Sequence, residues 1–287
     1  MRARTRNVEP VELASLFRLF EHEYGDAYVR LVAELRERYP EITRPGRRTG
    51  RALRNICFIV WCSFRDGEQT LIPALFRAAV LLSAQDDYYD NPRIPAAQKD
   101  SFCSAIKHAL RTNSFRHELG RNHQLRDLGS LWSYVAGTIP RRPRELRTFW
   151  IEAACQLNDA MAAENRSARR RATITYEEYM RTAIHSIGMV FIWATYLAHE
   201  HVPMSMMREI APILLRGARV VRLSNDMAGG RGAGARMRRL VAQEAQAFHG
   251  SIEELDVAPH VRHVLIHSMD LLREFYRRSD FGRAPAW

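Results

Sequence analysis

The sequence predicts an all-α fold, and three observations lead there. Apolar residues recur at three- and four-residue spacing through most of the 287 residues, which is the period of a buried helix face. Alternating β-branched runs and Asn-Gly or Asp-Gly hairpin turns are scarce, and no internal repeat of solenoid length is found. With 46% hydrophobic residues the chain can bury a sizeable core. No linker is long or low in complexity enough to divide it, so residues 1–287 are expected to form one domain.

The elements follow from the amphipathic stretches and the polar or proline-containing breaks between them. A helical pair is expected around residues 10 to 38, then the basic connector YPEITRPGRRTG. Helices are expected over 50–65 and 70–89, the latter stopped by Asn91-Pro92, and over 96–112, 128–137 and 143–165. The stretch 175–199 ends at His199-Glu200-His201 before Val202-Pro203. Helices over 204–228, 236–249 and 259–278 complete the chain, with the glycine run after residue 228 fraying the first of them.

No apolar stretch reaches the length of a membrane span, and MRARTRNVEP lacks the apolar core of a signal peptide, so a cytoplasmic protein is expected. Cys57, Cys62, Cys103 and Cys155 form no Cys-x-x-Cys pair and sit in apolar surroundings, as reduced core thiols do. The net charge of +11 implies affinity for something anionic. Almost all of it is arginine, Lys99 and Lys107 being the only lysines, and the arginine fork suits bidentate contact with phosphate. The basic residues are scattered and no zinc-finger or RNP-type motif occurs, so no nucleic-acid partner is expected.

The segment LLSAQDDYYDNP closes an apolar helix with three acids. Asp86 and Asp90 fall four apart, on one helix face, with Asp87 beside them. Like charges that close repel unless a cation lies between them, and hard divalent ions such as Mg²⁺ take carboxylate oxygens together with substrate phosphates. A solvated last turn is the plainer reading, but anions at a helix C-terminus oppose the macrodipole. In LLRGARVVRLSNDMAGG a second apolar helix ends in Arg222, Asn225 and Asp226. Arg222 and Asn225 are three apart, so a bidentate cation and an oxygen ligand share a face.

Together the two clusters resemble the class I terpene synthases, whose aspartate-rich DDxxD and Asn-Asp motifs face each other across the mouth of an α-helical bundle. Here those motifs read Asp86-Asp87-Tyr88-Tyr89-Asp90 and Asn225-Asp226-Met227-Ala228-Gly229. TYEEYMRTAIHSIGMVF resembles the family's broken helix, with Ser186-Ile187-Gly188 as its kink near the diphosphate. The resemblance is strongest to single-domain bacterial diterpene synthases of the ent-kaurene synthase kind. It implies a single-domain α-helical bundle, catalysis through Asp86, Asp87, Asp90, Asn225 and Asp226, and Mg²⁺ ions, three in the family, held by Asp86, Asp87, Asp90 and Asn225.

For the substrate, the resemblance implies an allylic prenyl or bicyclic, copalyl-type diphosphate, whose diphosphate departs while the carbocation cyclises or rearranges. Arg222, Arg181, Ser186, Gly188, Arg277 and Arg278 are the expected diphosphate contacts, with Arg283 a further candidate. Phe58, Trp61, Tyr88, Phe191 and Trp193 are candidates for the aromatic pocket wall, where ring faces stabilise a cation. A homodimer and an upstream class II cyclase are the implied partners. Two departures stand out: the second motif's terminal Glu is Ala233 and its hydroxyl is Gly229, which leaves that metal site short of a charged ligand.

A chain-elongating prenyl diphosphate synthase would share the fold but carry a second aspartate-rich motif, and a sesquiterpene synthase acting on farnesyl diphosphate is the other alternative. GRGAGA fits a loose dinucleotide-binding pattern without the strand such a motif requires. His260, His263 and His267 share a face, but no Cys or acid nearby completes a zinc set.

Overall fold

The structure, a computed structural model of the chain, describes residues 13–115, 122–141, 143–170, 175–229 and 234–278, apart from the side chains of 168–170 and 278. Among the described residues every regular element is helical. The elements are α1 (Leu13–Arg38), α2 (Pro40–Thr43), α3 (Arg48–Phe64), α4 (Ile72–Asp90), α5 (Ala96–Thr112), α6 (His123–Thr138) and α7 (Arg144–Arg170), then α8 (Tyr176–Ser186), α9 (Met189–His199), α10 (Met204–Ala228), α11 (Ala235–Glu253) and α12 (Pro259–Arg278). One 3₁₀ turn, Gln69–Leu71, leads into α4.

Several expected boundaries shift: α6 begins at His123 instead of 128, α7 runs to Arg170 instead of 165, and α11 runs to Glu253 instead of 249. The pair expected around 10 to 38 is a single helix, Leu13–Arg38, that runs through Gly25 without a break. The stretch 175–199 divides into α8 and α9 at Gly188, the position the resemblance gave for the kink, where a φ of 77° is open to glycine and strained for other residues. A Cβ there would also lie 2.3 Å from Leu82 Cδ2, so the break brings backbone directly against α4.

Helix packing closes a ring in the order α3, α4, α7, α8, α10, α12 and back to α3, with α9 set against α4, α7 and α10. Outside the ring, α1 covers α3, α5 covers α7, α6 covers α4, and α11 lies on α10 and α12. Aromatic side chains fill these outer seams. Phe58 packs edge-on against Phe17 at 5.0 Å, and Trp193 stacks on Phe248 at 5.9 Å. Buried polar ends are paired: Trp132 Nε1 donates to Gln85 at 2.8 Å, Trp150 Nε1 to Thr195 at 2.9 Å and Trp193 Nε1 to Ser268 at 2.8 Å. Cys57, Cys62, Cys103 and Cys155 are free and buried. Among the described residues no helix is long and apolar enough to cross a membrane.

The start of α3 is held unusually close to the chain before it. A Cβ on Gly50 would lie 2.1 Å from the Arg44 carbonyl oxygen and 2.5 Å from that of Thr43, both backbone atoms that cannot step aside. Gly50→Ala should therefore destabilise the fold by about 3 kcal/mol, the upper part of the usual overpacking cost. A thermal melt tests this, and an unchanged midpoint would mean the connector does not rest on α3.

Candidate active site

The helix ring encloses a cavity of 990 Å³, lined by α3, α4, α7, α8, α9, α10 and α12. On α4, Ala79, Leu82, Ser83, Asp86 and Asp90 line it as a helical stripe that passes from apolar to acidic, with Tyr89 beside the acidic end. Eleven helical steps from residue 79 to residue 90 make that stripe about 16 Å long. On α3, Ile56, Ile59, Val60 and Ser63 line it at the same kind of spacing, with Arg48 and Phe64 at the two ends of the helix. The cavity is thus apolar inside and charged at its mouth.

Asp86 and Asp90 both line that mouth, and Arg48 Nη1 lies 3.0 Å from Asp86 Oδ2 and 3.7 Å from Asp90 Oδ2. Burial, then the nearby Asp90 charge, raises the Asp86 carboxyl from its ordinary value to about 7 even against the opposing pull of Arg48. Asp87 does something else. Its Oδ2 accepts from Thr49 N at 2.9 Å and Thr49 Oγ1 at 2.8 Å, so it faces α3 and ties the first turn of that helix to α4. The α4 end is capped from outside: the Tyr89 carbonyl accepts from Asn165 Nδ2 at 2.6 Å and from the buried Lys99 Nζ.

Across the mouth, Asn225 and Arg222 of α10 line the cavity with Tyr179 of α8 and Glu164 of α7. The Tyr179 hydroxyl is bonded to both Asp226 oxygens at 2.8 Å and accepts from Arg222 Nε at 2.8 Å. Arg222 also reaches Glu164 Oε1 at 3.1 Å and Asp226 Oδ1 at 3.2 Å. Burial alone would lower the Arg222 pKa, but Glu164, Asp226 and Tyr179 more than offset it, so the guanidinium stays charged. A capping box between Thr175 and Glu178 fixes the start of α8 and with it the height of Tyr179.

The remaining expected contacts divide. Ser186 lines the cavity beside the break, and Gly188 makes the break itself. Arg181 is exposed and outside the lining, whereas Tyr179 and Thr182 of the same helix are in it. Arg277 is also exposed, paired with Glu274 of its own helix at 2.6 Å, while its neighbour Tyr276 lines the cavity. The Arg278 side chain, Ala233 and Arg283 lie outside the described residues.

The five aromatic wall candidates do not line the cavity. Phe58 and Trp61, three apart on α3, turn toward Phe20 at 5.7 and 5.6 Å. Tyr88 faces Phe102 at 5.0 Å, Phe191 sits between Trp132 and Trp150, and Trp193 stacks on α11. Helices buried on all sides gave no sign of which face was inward. The aromatic lining comes from Phe64, Tyr89, Tyr179 and Tyr276.

Arg48, Glu164, Asn165 and Tyr179 are site residues that the sequence reading missed. Tyr179 could have been found by its place in the Tyr-rich start of α8; the others come together only in three dimensions. The histidine face of α12 is paired instead of metal-ready, His260 with Glu200 at 2.8 Å and His263 with Asp66 at 3.0 Å. Among the described residues no three His, Cys, Asp or Glu side chains converge as a ready metal cage. The donors at the mouth are hard oxygens on facing helices, a set that fits a cation bound by one or two carboxylates with the rest of its shell from phosphate and water.

The Tyr179 hydroxyl is the link between Arg222 and Asp226. Tyr179→Phe should cost about 1–3 kcal/mol by leaving the buried Asp226 carboxylate short of a donor. Urea unfolding reads this as a lower midpoint at unchanged slope; an unchanged midpoint would mean that water replaces the hydroxyl without loss.

Residues 77–231 match the family model for terpene synthase family 2, C-terminal metal binding. No curated protein sequence matches the chain significantly. Among solved structures, a mutant of the ancestrally reconstructed protein SVS_A2 aligns at 12% identity over 92% of this chain and 86% of its own, with a TM-score of 0.66. Hedycaryol synthase in complex with HEPES aligns at 15% identity over 88% and 90%, TM-score 0.62. Isoprene synthase from grey poplar leaves (Populus x canescens), in complex with three Mg²⁺ ions and dimethylallyl-S-thiolodiphosphate, aligns at 15% identity over 89% of this chain and 55% of its own, TM-score 0.65. The structural likenesses show the shared all-α fold; the family model spans both polar clusters and more than half of the sequence, and the chain therefore belongs to the terpene synthase family as a class I, metal-binding terpene synthase.

Proposed function

We propose that the enzyme is a Mg²⁺-dependent diterpene synthase. It ionises an allylic prenyl or bicyclic, copalyl-type diphosphate, releases diphosphate, and cyclises or rearranges the carbocation in the enclosed cavity. The observation that carries this is the single α4 stripe running from Ala79 and Leu82 to Asp86 and Asp90, opposite Arg222 and Asn225. A cavity of 990 Å³, at the upper end of the range for small-molecule sites, is large enough for a prenyl diphosphate of fifteen or twenty carbons.

In this reading Asp86, Asp90 and Asn225 hold the metal at the mouth. Bound Mg²⁺ would supply positive charge against the departing diphosphate. Arg222 is fixed by Tyr179, Glu164 and Asp226 before any ligand arrives, so its fork meets phosphate oxygens with little reorganisation. Ile56, Ile59, Leu82 and Ile192 exclude water from the cation. Burial pushes the Tyr89 phenol far above its ordinary value. It stays neutral, and with Phe64 and Tyr276 offers ring faces worth about 0.5–2 kcal/mol each to a passing cation.

The decisive assay is incubation with Mg²⁺ and geranylgeranyl, farnesyl or copalyl diphosphate in turn, with products read by gas chromatography. Hydrocarbon from farnesyl diphosphate alone would replace the diterpene reading by the sesquiterpene one, and a longer prenyl diphosphate as product would replace it by chain elongation. The Asp86→Ala/Asp90→Ala protein should lose more than about a hundredfold in turnover with its circular dichroism unchanged; retained turnover would remove the metal from α4. Arg222→Lys keeps the charge but not the fork, so kcat/KM should fall about 10- to 100-fold, the loss of one or two charged hydrogen bonds. Wild-type kinetics in that variant would move the diphosphate elsewhere.

A further inference from the structure

Arg48 opens α3 and lines the mouth of the cavity, where one guanidinium nitrogen approaches two different carboxylates, Asp86 at 3.0 Å and Asp90 at 3.7 Å. A side chain that only tied α3 to α4 would be redundant, because Thr49 already fastens that turn through two hydrogen bonds to Asp87. Arg48 is also 38% exposed, so it can leave the acids for water without opening a hole in the core. Its charge lies between the two side chains that the proposed function assigns to the metal.

We infer that Arg48 is a placeholder cation: it balances Asp86 and Asp90 before the metal arrives, and metal binding displaces it. The inference rests on the reading of those acids as metal ligands. Arg48 Nη1 occupies Asp86 Oδ2 and Asp90 Oδ2, the oxygens a metal would take, and its charge repels an arriving dication at short range. Metal alone must therefore break the Arg48 contacts to bind. Metal arriving with diphosphate meets less resistance, because the phosphate oxygens add ligands and give the displaced guanidinium a new anion. The two ligands are thereby coupled, and Arg48 is the positioning residue that couples them.

The test is a titration of the apo enzyme with Mn²⁺ as probe, followed by electron paramagnetic resonance, with and without inorganic diphosphate. Without diphosphate, Arg48→Gln should bind Mn²⁺ about five- to tenfold more tightly than wild type, the expected gain from removing a half-exposed competing charge. Arg48→Lys should stay near wild type, and diphosphate should strengthen Mn²⁺ binding less in the Gln variant than in wild type. Arg48→Met keeps the aliphatic stem, so the comparison does not depend on one neutral variant folding. Equal or weaker Mn²⁺ binding in the neutral variants would overturn the inference and leave the metal reading standing. No Mn²⁺ binding by any of the proteins, even with diphosphate, would overturn both.

Discussion

The end of α4 is where negative charge accumulates, and the site is built around containing it. The helix presents its own carbonyl dipoles there, and Asp86, Asp87 and Asp90 add three carboxylates within little more than a turn. The three carboxylates are answered from the first turn of α3, and the carbonyl end of the helix from α5 and α7. Thr49 takes Asp87, Arg48 bridges Asp86 and Asp90, and Lys99 with Asn165 satisfies the Tyr89 carbonyl. Burying Lys99 to 2% exposure would be unfavourable by itself; it is sustained because its ammonium meets the negative end of a helix. The contacts of α3, α5 and α7 with α4 thus serve the mouth of the cavity as well as the core.

The opposite wall solves a different problem, that of keeping an arginine rigid while leaving its charge usable. Arg222 is gripped by the Tyr179 hydroxyl, Glu164 and Asp226, which come from three helices. A guanidinium with five donors can satisfy all three and still offer donors to a ligand, which an ammonium could not do. The capping box at Thr175 and the break at Gly188 set the two ends of α8, so Tyr179 and Ser186 reach the cavity from one short, well-defined helix.

Much of this was legible in the sequence, and the line between what was and was not follows the physics. Helix period and proline breaks carry the elements, so the ends of α5, α10 and α12 agree with expectation to within a residue. Four-residue spacing places Asp86 and Asp90 on one face because that relation is internal to a helix. Relations between helices are different. Phe58 and Trp61 look as suitable for a cavity wall as Ile56 and Ile59, because α3 is buried nearly all round and periodicity cannot say which neighbour is α1 and which is empty space. Arg48 and Glu164 stand far from Asp86 and Arg222 in sequence, so their pairing awaits the fold. Asp87 shows the converse, since membership of a motif did not reveal that Thr49 would hold its carboxylate through both backbone N–H and hydroxyl.

A basic protein with an acidic doorway has an electrostatic consequence that neither feature has alone. The net charge of +11 draws anions toward the surface from a distance, and over more than about 10 Å salt screens the difference between one arginine and another. Close to the mouth each acid is paired with a guanidinium, Asp86 and Asp90 with Arg48 and Glu164 with Arg222, so an arriving anion competes with carboxylates for those donors. Attraction at long range and competition at short range together favour a ligand that brings its own cations. Under the proposed function, an anion that brings its own cations would satisfy the acids and the guanidiniums together, so discrimination for a metal-loaded diphosphate would begin at the doorway, before the apolar cavity meets the carbon skeleton.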